Sequence, residues 1–184
     1  MLTWDELESA CKSCAKCALC EKRKNVVIGT GNKQARIMFI GEAPGEAEDI
    51  QGEPFVGAAG KLLDKMLAAI SLGRTDVYIA NILKCRPPYN RDPSKEEQEK
   101  CLNYLRAQVA LIKPKILVCL GRIAACVIIE ENFKITRQRG LWFERKNYLL
   151  TATFHPSALL RDESLKKSAW EDFKAIKRRL NELS

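Results

Sequence analysis

The chain has 184 residues, 46% of them hydrophobic, which suits one compact domain with a packed core and excludes a disordered or fibrous chain. Lys and Arg outnumber Asp and Glu by 31 to 23, and the resulting +8 favours an anionic partner such as nucleic acid without requiring one. Eight cysteines follow a start that carries Asp5, Glu6 and Glu8 and no apolar leader, and no run reaches the ~20 apolar residues of a membrane span. A cytosolic protein is expected, acting as a monomer away from any membrane, with clustered cysteines that bind a metal or an iron–sulfur cluster rather than pairing as disulfides.

Residues 2–11 read as a short helix with Thr3 as N-cap and Glu6 completing a capping box. Cys11, Cys14, Cys17 and Cys20 then fall at every third position. Such steps let neighbouring thiolates converge on one centre; zinc and iron–sulfur chemistry suit them equally, and four can hold a cluster without help from elsewhere. A short strand is expected over 26–28, closed by Gly29, Gly31 and Asn32. The first strong strand is 36–40, which runs into a turn of Gly41, Glu42, Ala43, Pro44 and Gly45, then Glu46 and Glu48, then a second glycine-marked loop. A helix starting near Ala58 follows, with Leu62, Leu63, Met66, Leu67 and Ile70 at helical spacing.

The next strand, 77–83, leads through Asn81 to Cys85, where Pro87 and Pro88 forbid its continuation. Residues 92–94 open a helix over 95–112 that contains Cys101, with Pro93 near its first turn and Glu96, Glu97 and Glu99 at its positive end. Residues 116–120 are wholly apolar, the form of an inner parallel strand covered on both faces, and Gly121 starts a helix to about Glu130. Residues 142–144 and 148–153 read as a hairpin turning at Lys146 and Asn147, and its second arm empties into Phe154, His155, Pro156 and Ser157. A closing helix over 164–180 places Leu165, Trp170, Phe173, Ile176 and Leu180 on its inner face.

Strands alternate with helices, so the expected fold is α/β: a three-layer α/β/α sandwich around a central, mostly parallel four-stranded sheet, formed by residues 1–184 as one domain. In open α/β sheets ligands bind at the carboxyl ends of the strands, which gathers three loops, 41–55, 81–90 and 155–161, around one crevice. An amide (Asn81), an aromatic ring (Phe55), carboxylates (Glu42, Glu46, Glu48) and the chain's single histidine, His155, belong to that edge, and such groups suit a planar heterocycle.

Cys14, Cys17, Leu19 and Arg23 form C-x2-C-x-L-x3-R; GEAPG stands at 41–45, GEPFVG at 52–57, NILKCRPP at 81–88, a cysteine at 101 and HPSALLR at 155–161. By these motifs together the chain resembles the family 4 uracil-DNA glycosylases, the iron–sulfur branch of the uracil-DNA glycosylase superfamily, over nearly its whole length. The resemblance implies a base-excision repair enzyme that flips uracil out of single- or double-stranded DNA and hydrolyses its N-glycosidic bond. It implies that Phe55 stacks on the base, that Asn81 reads its edge with Gly41 and Ala43 lining the pocket, and that His155 hydrogen-bonds uracil O2 as the ring departs. The superfamily's best-known branch has an aspartate where this chain has Ala43, so the catalytic carboxylate falls to Glu42, with Glu48 shaping the pocket or sharing the role, and Glu46 an ordinary surface acid.

By the same resemblance Leu159 wedges into the base stack, Arg161 meets a phosphate, and Pro44, Pro87, Pro88, Pro156 and Ser157 lie along the DNA backbone. Cys14, Cys17, Cys85 and Cys101 are implied as ligands of a [4Fe-4S] cluster that ties in the segment near 11–23, with Cys11 and Cys20 a departure from the pattern and Cys119 and Cys126 core thiols. No clamp-binding motif is evident. Two rivals remain. A relative that traps uracil-DNA covalently would carry an inserted basic loop ending in histidine after the first motif, where this chain runs EAEDIQGEPF; an electron carrier is favoured only by the cysteine run.

Overall fold

The computed structural model describes residues 2–183. The chain runs through α1 (Trp4–Lys12), α2 (Leu19–Lys22), β1 (Thr30–Gly31), β2 (Ile37–Gly41), α3 (Glu46–Gln51), α4 (Ala58–Ala69) and β3 (Tyr78–Asn81). It continues with α5 (Lys95–Ile112), β4 (Ile116–Leu120), α6 (Arg122–Ile128), α7 (Ile135–Gln138), β5 (Phe143–Arg145), β6 (Tyr148–Thr153), α8 (Pro156–Arg161) and α9 (Lys166–Glu182). One six-stranded sheet has the order β1-β3-β2-β4-β6-β5. Its four inner strands are mutually parallel, and the two edge strands pair antiparallel with their neighbours.

The expected four-stranded parallel sheet is therefore the middle of a six-stranded one. Of the two additional strands, β5 is the first arm of the expected hairpin. The other corrects the expectation at 26–28: that segment is not a strand, although Val27 N–H donates to the Lys84 carbonyl at 2.8 Å, and the pairing falls instead on Thr30–Gly31 opposite Ile79 and Tyr78. Gly31 takes φ +116 against the Val77 carbonyl, where a side chain would have no room.

Alternation along the parallel strands divides the core. Met38, Ile40, Tyr78, Ala80, Leu117 and Cys119 point to the face covered by Leu105 of α5 and Ala124 and Ala125 of α6. Ile37, Phe39, Val77, Ile79, Ile116 and Val118 point to the other, against Leu63 and Leu67 of α4 and Phe173, Ile176 and Leu180 of α9. Both faces are covered, which is why the inner strands are continuously apolar. Trp170 is a correction: it is exposed beside Lys174 rather than turned inward, while the other residues expected on that face are buried or half-buried.

Two helix starts are fixed as the sequence indicates. Thr3 and Glu6 form the capping box of α1, and Ser94 caps α5 with Glu97, which Arg91 also grips through both guanidinium nitrogens at 2.9 and 2.6 Å. Pro93 thus lies outside α5. Among the described residues the chain also forms four short helices that periodicity does not reveal, α2, α3, α7 and α8, because each is too brief to show a repeat.

Behind β6, Asp172 is buried, accepting from Thr153 Oγ1 at 2.7 Å and from Arg139 at 2.6 Å, and this knot joins the end of the sheet to α9. Removing one partner of such a pair leaves the other charge buried alone. Arg139→Leu is expected to lower unfolding free energy by about 3 kcal/mol in urea titrations, with the secondary structure of the folded protein unchanged.

Candidate active site and cysteine chamber

The sheet's order places its switch point at β2: the chain moves first to β3 on one side, then to β4 and β6 on the other. A cleft of about 440 Å³ opens at the carboxyl ends of these strands, lined by residues following all four of them, including Glu42, Asn81, Arg122 and His155. Glu48, Phe55, Ala43, Pro44, Pro87, Ser157 and Arg161 also border it. The three expected loops do converge, but 46–51 and 156–161 within them are helical.

Phe55 and Asn81 meet over Gly41. A side chain there would begin 2.3 Å from Asn81 Oδ1 and 2.8 Å from the Phe55 ring, so only glycine allows the close approach. Phe55 is buried and holds φ 57, an uncommon conformation for a non-glycine residue. Arg74 donates to its carbonyl and, at 3.1 Å, to that of Pro54, and is itself anchored by Asp64 at 2.7 Å. Gly60 completes the seat, since any side chain there would collide with the Phe55 carbonyl. Glu48 closes the same turn: one carboxylate oxygen accepts from both Val56 and Gly57 N–H at 3.0 Å, at the start of α4.

The Asn81 side chain is only 2% exposed, and its Oδ1 has no hydrogen-bond partner. A buried, unsatisfied acceptor on a cleft wall is the mark of a site that awaits a donor. Across the cleft the His155 ring lies 5.5 Å from that of Phe55, tilted 31°. His155 caps α8: its Nδ1 accepts the Ser157 N–H at 3.1 Å, and the Ser157 hydroxyl lies 2.7 Å from the same nitrogen. A backbone N–H can only donate, so Nδ1 is the bare nitrogen and the neutral ring carries its proton on Nε2. Burial, reinforced by Arg161 and opposed by Glu48, pulls its pKa down to about 4, so the imidazole is neutral at physiological pH.

Glu42 behaves in the opposite sense. Burial, aided by the nearby charge of Asp92 and opposed by Arg122, raises its carboxyl to about 7. Asp92 and Arg122 are themselves paired at 3.2 Å. The sequence marks neither as a site residue: Asp92 reads as a helix opener, and Arg122 follows β4, outside the three expected loops, though its Gly121–Arg122 pair is visible in the sequence. Arg74 and Gly60 were missed too, because they act through Phe55 and carry no signature of their own. Glu46 is exposed, 3.5 Å from Arg86, as expected of a surface acid.

One candidate is corrected by its position. Leu159 is 1% exposed and packs with Phe154 and Ala169, so it cannot serve as a wedge without leaving the core; the next residue, Leu160, is the exposed one at 47%. Adjacent residues of a helix point about 100° apart, a phase that the sequence, read as a loop over 155–161, does not reveal. Pro44, Pro87 and Pro156 are buried and stiffen the walls, whereas Ser157 is half-buried and Arg161 exposed.

A second chamber lies behind the exit of β3. Cys11, Cys14, Cys17, Cys20, Cys85 and Cys101 line it together with Arg23 and Lys84. The N-terminal run and the pair from the loop and α5 are thus brought together, as expected. Among the described residues the thiols ring this space without three of them meeting at one ion-sized point. Arg23 Nη1 donates to Cys85 Sγ at 3.3 Å and to the Cys14 carbonyl at 2.9 Å, and Lys84 N–H donates to Cys101 Sγ at 3.2 Å. Burial pushes the Cys101 thiol up to about 11 and that of Cys11 to about 12. Cys119 is a fully buried core thiol and Cys126 packs at the core's edge, its sulfur 3.7 Å from the Phe133 carbonyl.

Fold and cleft together define an α/β protein whose strand ends gather an aromatic ring, a buried amide and a neutral imidazole around one cleft. The family model of the uracil DNA glycosylase superfamily matches residues 28–174. The type-4 uracil-DNA glycosylase of Archaeoglobus fulgidus is 48% identical, with 96% of this chain and 92% of that protein covered. Those of Sulfurisphaera tokodaii (48% identical, 90% and 79% covered) and Saccharolobus solfataricus (44%, 96% and 86%) are similar over comparable spans. The chain belongs to the uracil DNA glycosylase superfamily, in its type-4 branch.

The raised Glu42 pKa is also a statement about stability. A carboxyl that holds its proton more tightly folded than unfolded favours the fold while protonated and disfavours it once ionised, from the ordinary 4.5 up through about 7. Glu42→Gln is therefore expected to raise the thermal midpoint at pH 8, with the gain fading as pH falls from about 7 toward 4.5; Asp92→Asn should lower the Glu42 midpoint read by carboxyl NMR.

Proposed function

We propose that the protein removes uracil from DNA: it draws the nucleotide out of the stack into the cleft and hydrolyses the N-glycosidic bond, leaving an abasic site for base excision repair. The observation that carries this reading is the buried, partnerless Asn81 Oδ1. Uracil N3–H supplies the missing donor, while its O4 accepts from the amide nitrogen. Cytosine offers a bare N3 and an amino group in those positions, so both contacts fail. Phe55 provides the stacking surface, and Gly41 and Ala43 leave the room that a planar base needs.

As the glycosidic bond breaks, negative charge gathers on the uracil ring and positive charge on the sugar. His155 meets the first with the Nε2 proton that its bond to Ser157 leaves available, as a neutral donor to O2. The second falls to Glu42. Glu48 is engaged by two backbone N–H groups, whereas Glu42 has a pKa matched to accepting a proton from water near neutrality. No lysine is among the residues lining the cleft, which supports water rather than an amine as nucleophile. Arg161 at the rim is placed for a phosphate, Pro44, Pro87 and Ser157 border the strand's path, and the exposed Leu160 takes the wedge role in place of Leu159.

The cysteine chamber fits a [4Fe-4S] cluster bound by Cys14, Cys17, Cys85 and Cys101, its sulfurs stabilised by N–H groups of Arg23 and Lys84. When bound, such a cluster supplies a set of iron–thiolate links joining the N-terminal segment, the loop after β3 and α5.

Incubation with uracil-containing oligonucleotides should yield alkali-labile abasic sites, and a cluster-loaded preparation that produced none would overturn the reading. His155→Ala should cost about 10²- to 10³-fold in kcat. Glu42→Gln should cost about 10²- to 10⁴-fold and abolish the loss of wild-type kcat/KM below pH about 7. Cys85→Ala should lower bound iron and sulfide; undiminished content would assign the cluster to the N-terminal quartet instead.

A further inference from the structure

A lysine that a fold buries completely is driven toward its neutral form unless an opposite charge lies nearby, because hydrogen bonds to neutral groups recover only part of the lost hydration. Lys84 is 1% exposed. Its ammonium donates to the backbone carbonyl of Asn81 at 2.8 Å and to Gln108 Oε1 at 2.7 Å. Gln108 is fixed in turn, its amide nitrogen donating to the Ile28 carbonyl at 2.8 Å and to Tyr78 Oη at 3.1 Å. Every one of these partners is neutral. None of the ion pairs among the described residues includes Lys84; burial draws its pKa down to about 8, opposed by Cys101 and Cys11 of the same chamber. Its side chain lines the same chamber as Cys85 and Cys101.

We infer that Lys84 is the internal counter-ion of the cluster proposed above. The assignment rests on that cluster reading. Four thiolates around a core of charge 2+ leave a net charge of 2−, and an ammonium inside the same low-dielectric chamber offsets part of it. Apolar packing alone does not account for the residue, since a methionine fills a similar volume without burying a charge. The position has a second consequence. The same ammonium is bonded to the last residue of β3, whose side chain faces the cleft, so the cation that balances the cluster also fixes the backbone of the base-reading amide. Lys84 touches no substrate and is a positioning residue.

The test compares cluster-loaded wild-type protein with Lys84→Met, which keeps the volume, and Lys84→Gln, which keeps a donor without the charge and keeps the comparison readable where the methionine variant fails to fold. The midpoint reduction potential is followed by visible absorbance during electrochemical titration, and iron release is timed against a chelator. Loss of a neighbouring cation disfavours the more negative cluster state, so both variants should shift to more negative potential and release iron severalfold faster. Potentials equal to wild type in loaded variants would overturn the counter-ion while leaving the cluster in place. Wild-type protein free of iron and sulfide would overturn the cluster reading and the counter-ion with it.

Discussion

The cleft depends on the missing side chain of Gly41. At the end of β2 the backbone must pass so close to the Asn81 amide and the Phe55 ring that a single methyl would occupy the space of both. Phe55 can reach this place only with a left-handed backbone, a conformation that costs a non-glycine residue about 1–3 kcal/mol and persists only where its surroundings determine it. Those surroundings are specific. Arg74 holds two successive carbonyls, Glu48 holds the next two N–H groups, and Gly60 removes the side chain that would otherwise strike the Phe55 carbonyl. The stacking surface is therefore rigid before any ligand arrives, which spares the ordering cost of binding.

The two ionisable groups facing this surface are separated by environment. One local bond, from Ser157 N–H to Nδ1, selects the tautomer of His155, and burial beside Arg161 keeps the ring uncharged. Glu42, in the same cleft, is held near neutrality by burial and by Asp92. A neutral donor on one side and a carboxylate poised to ionise on the other are complementary to a reaction that separates charge along one bond.

Much of this was legible in the sequence because strand ends are legible. The strands read at 36–40, 77–83 and 148–153 and the polar residues at their exits bring Glu42, Asn81 and His155 to one crevice, and all three line the cleft. Legibility failed where function depends on short elements or on residues acting through others. The turn of α8 inverts the exposure of Leu159 and Leu160, and a six-residue helix has too few repeats to reveal its phase. Arg74 serves Phe55 from a loop, and Asp92 and Arg122 serve Glu42 across a space that only folding creates. Folding likewise separates Glu48, the secondary choice in the sequence, from Glu42, since one oxygen of its carboxylate accepts from two backbone N–H groups at the start of α4.

The segment from Asn81 to Cys85 joins the two special regions of the molecule and explains why they sit side by side. Ile82 and Leu83 N–H groups donate to the carbonyls of Gly41 and Glu42 at 3.0 Å, which locks the exit of β3 to the turn that bears the carboxylate. Lys84 then folds back on Asn81, and Cys85 turns into the cysteine chamber under the hand of Arg23. Five residues thus carry the unsatisfied amide of the cleft wall, a buried lysine and a thiol in fixed order. These backbone hydrogen bonds hold the exit of β3, and with it Asn81, in one frame with Glu42. The cluster proposed for Cys85 and Cys101, were it bound there, would constrain the geometry of the cleft as well as the position of the N-terminal helices.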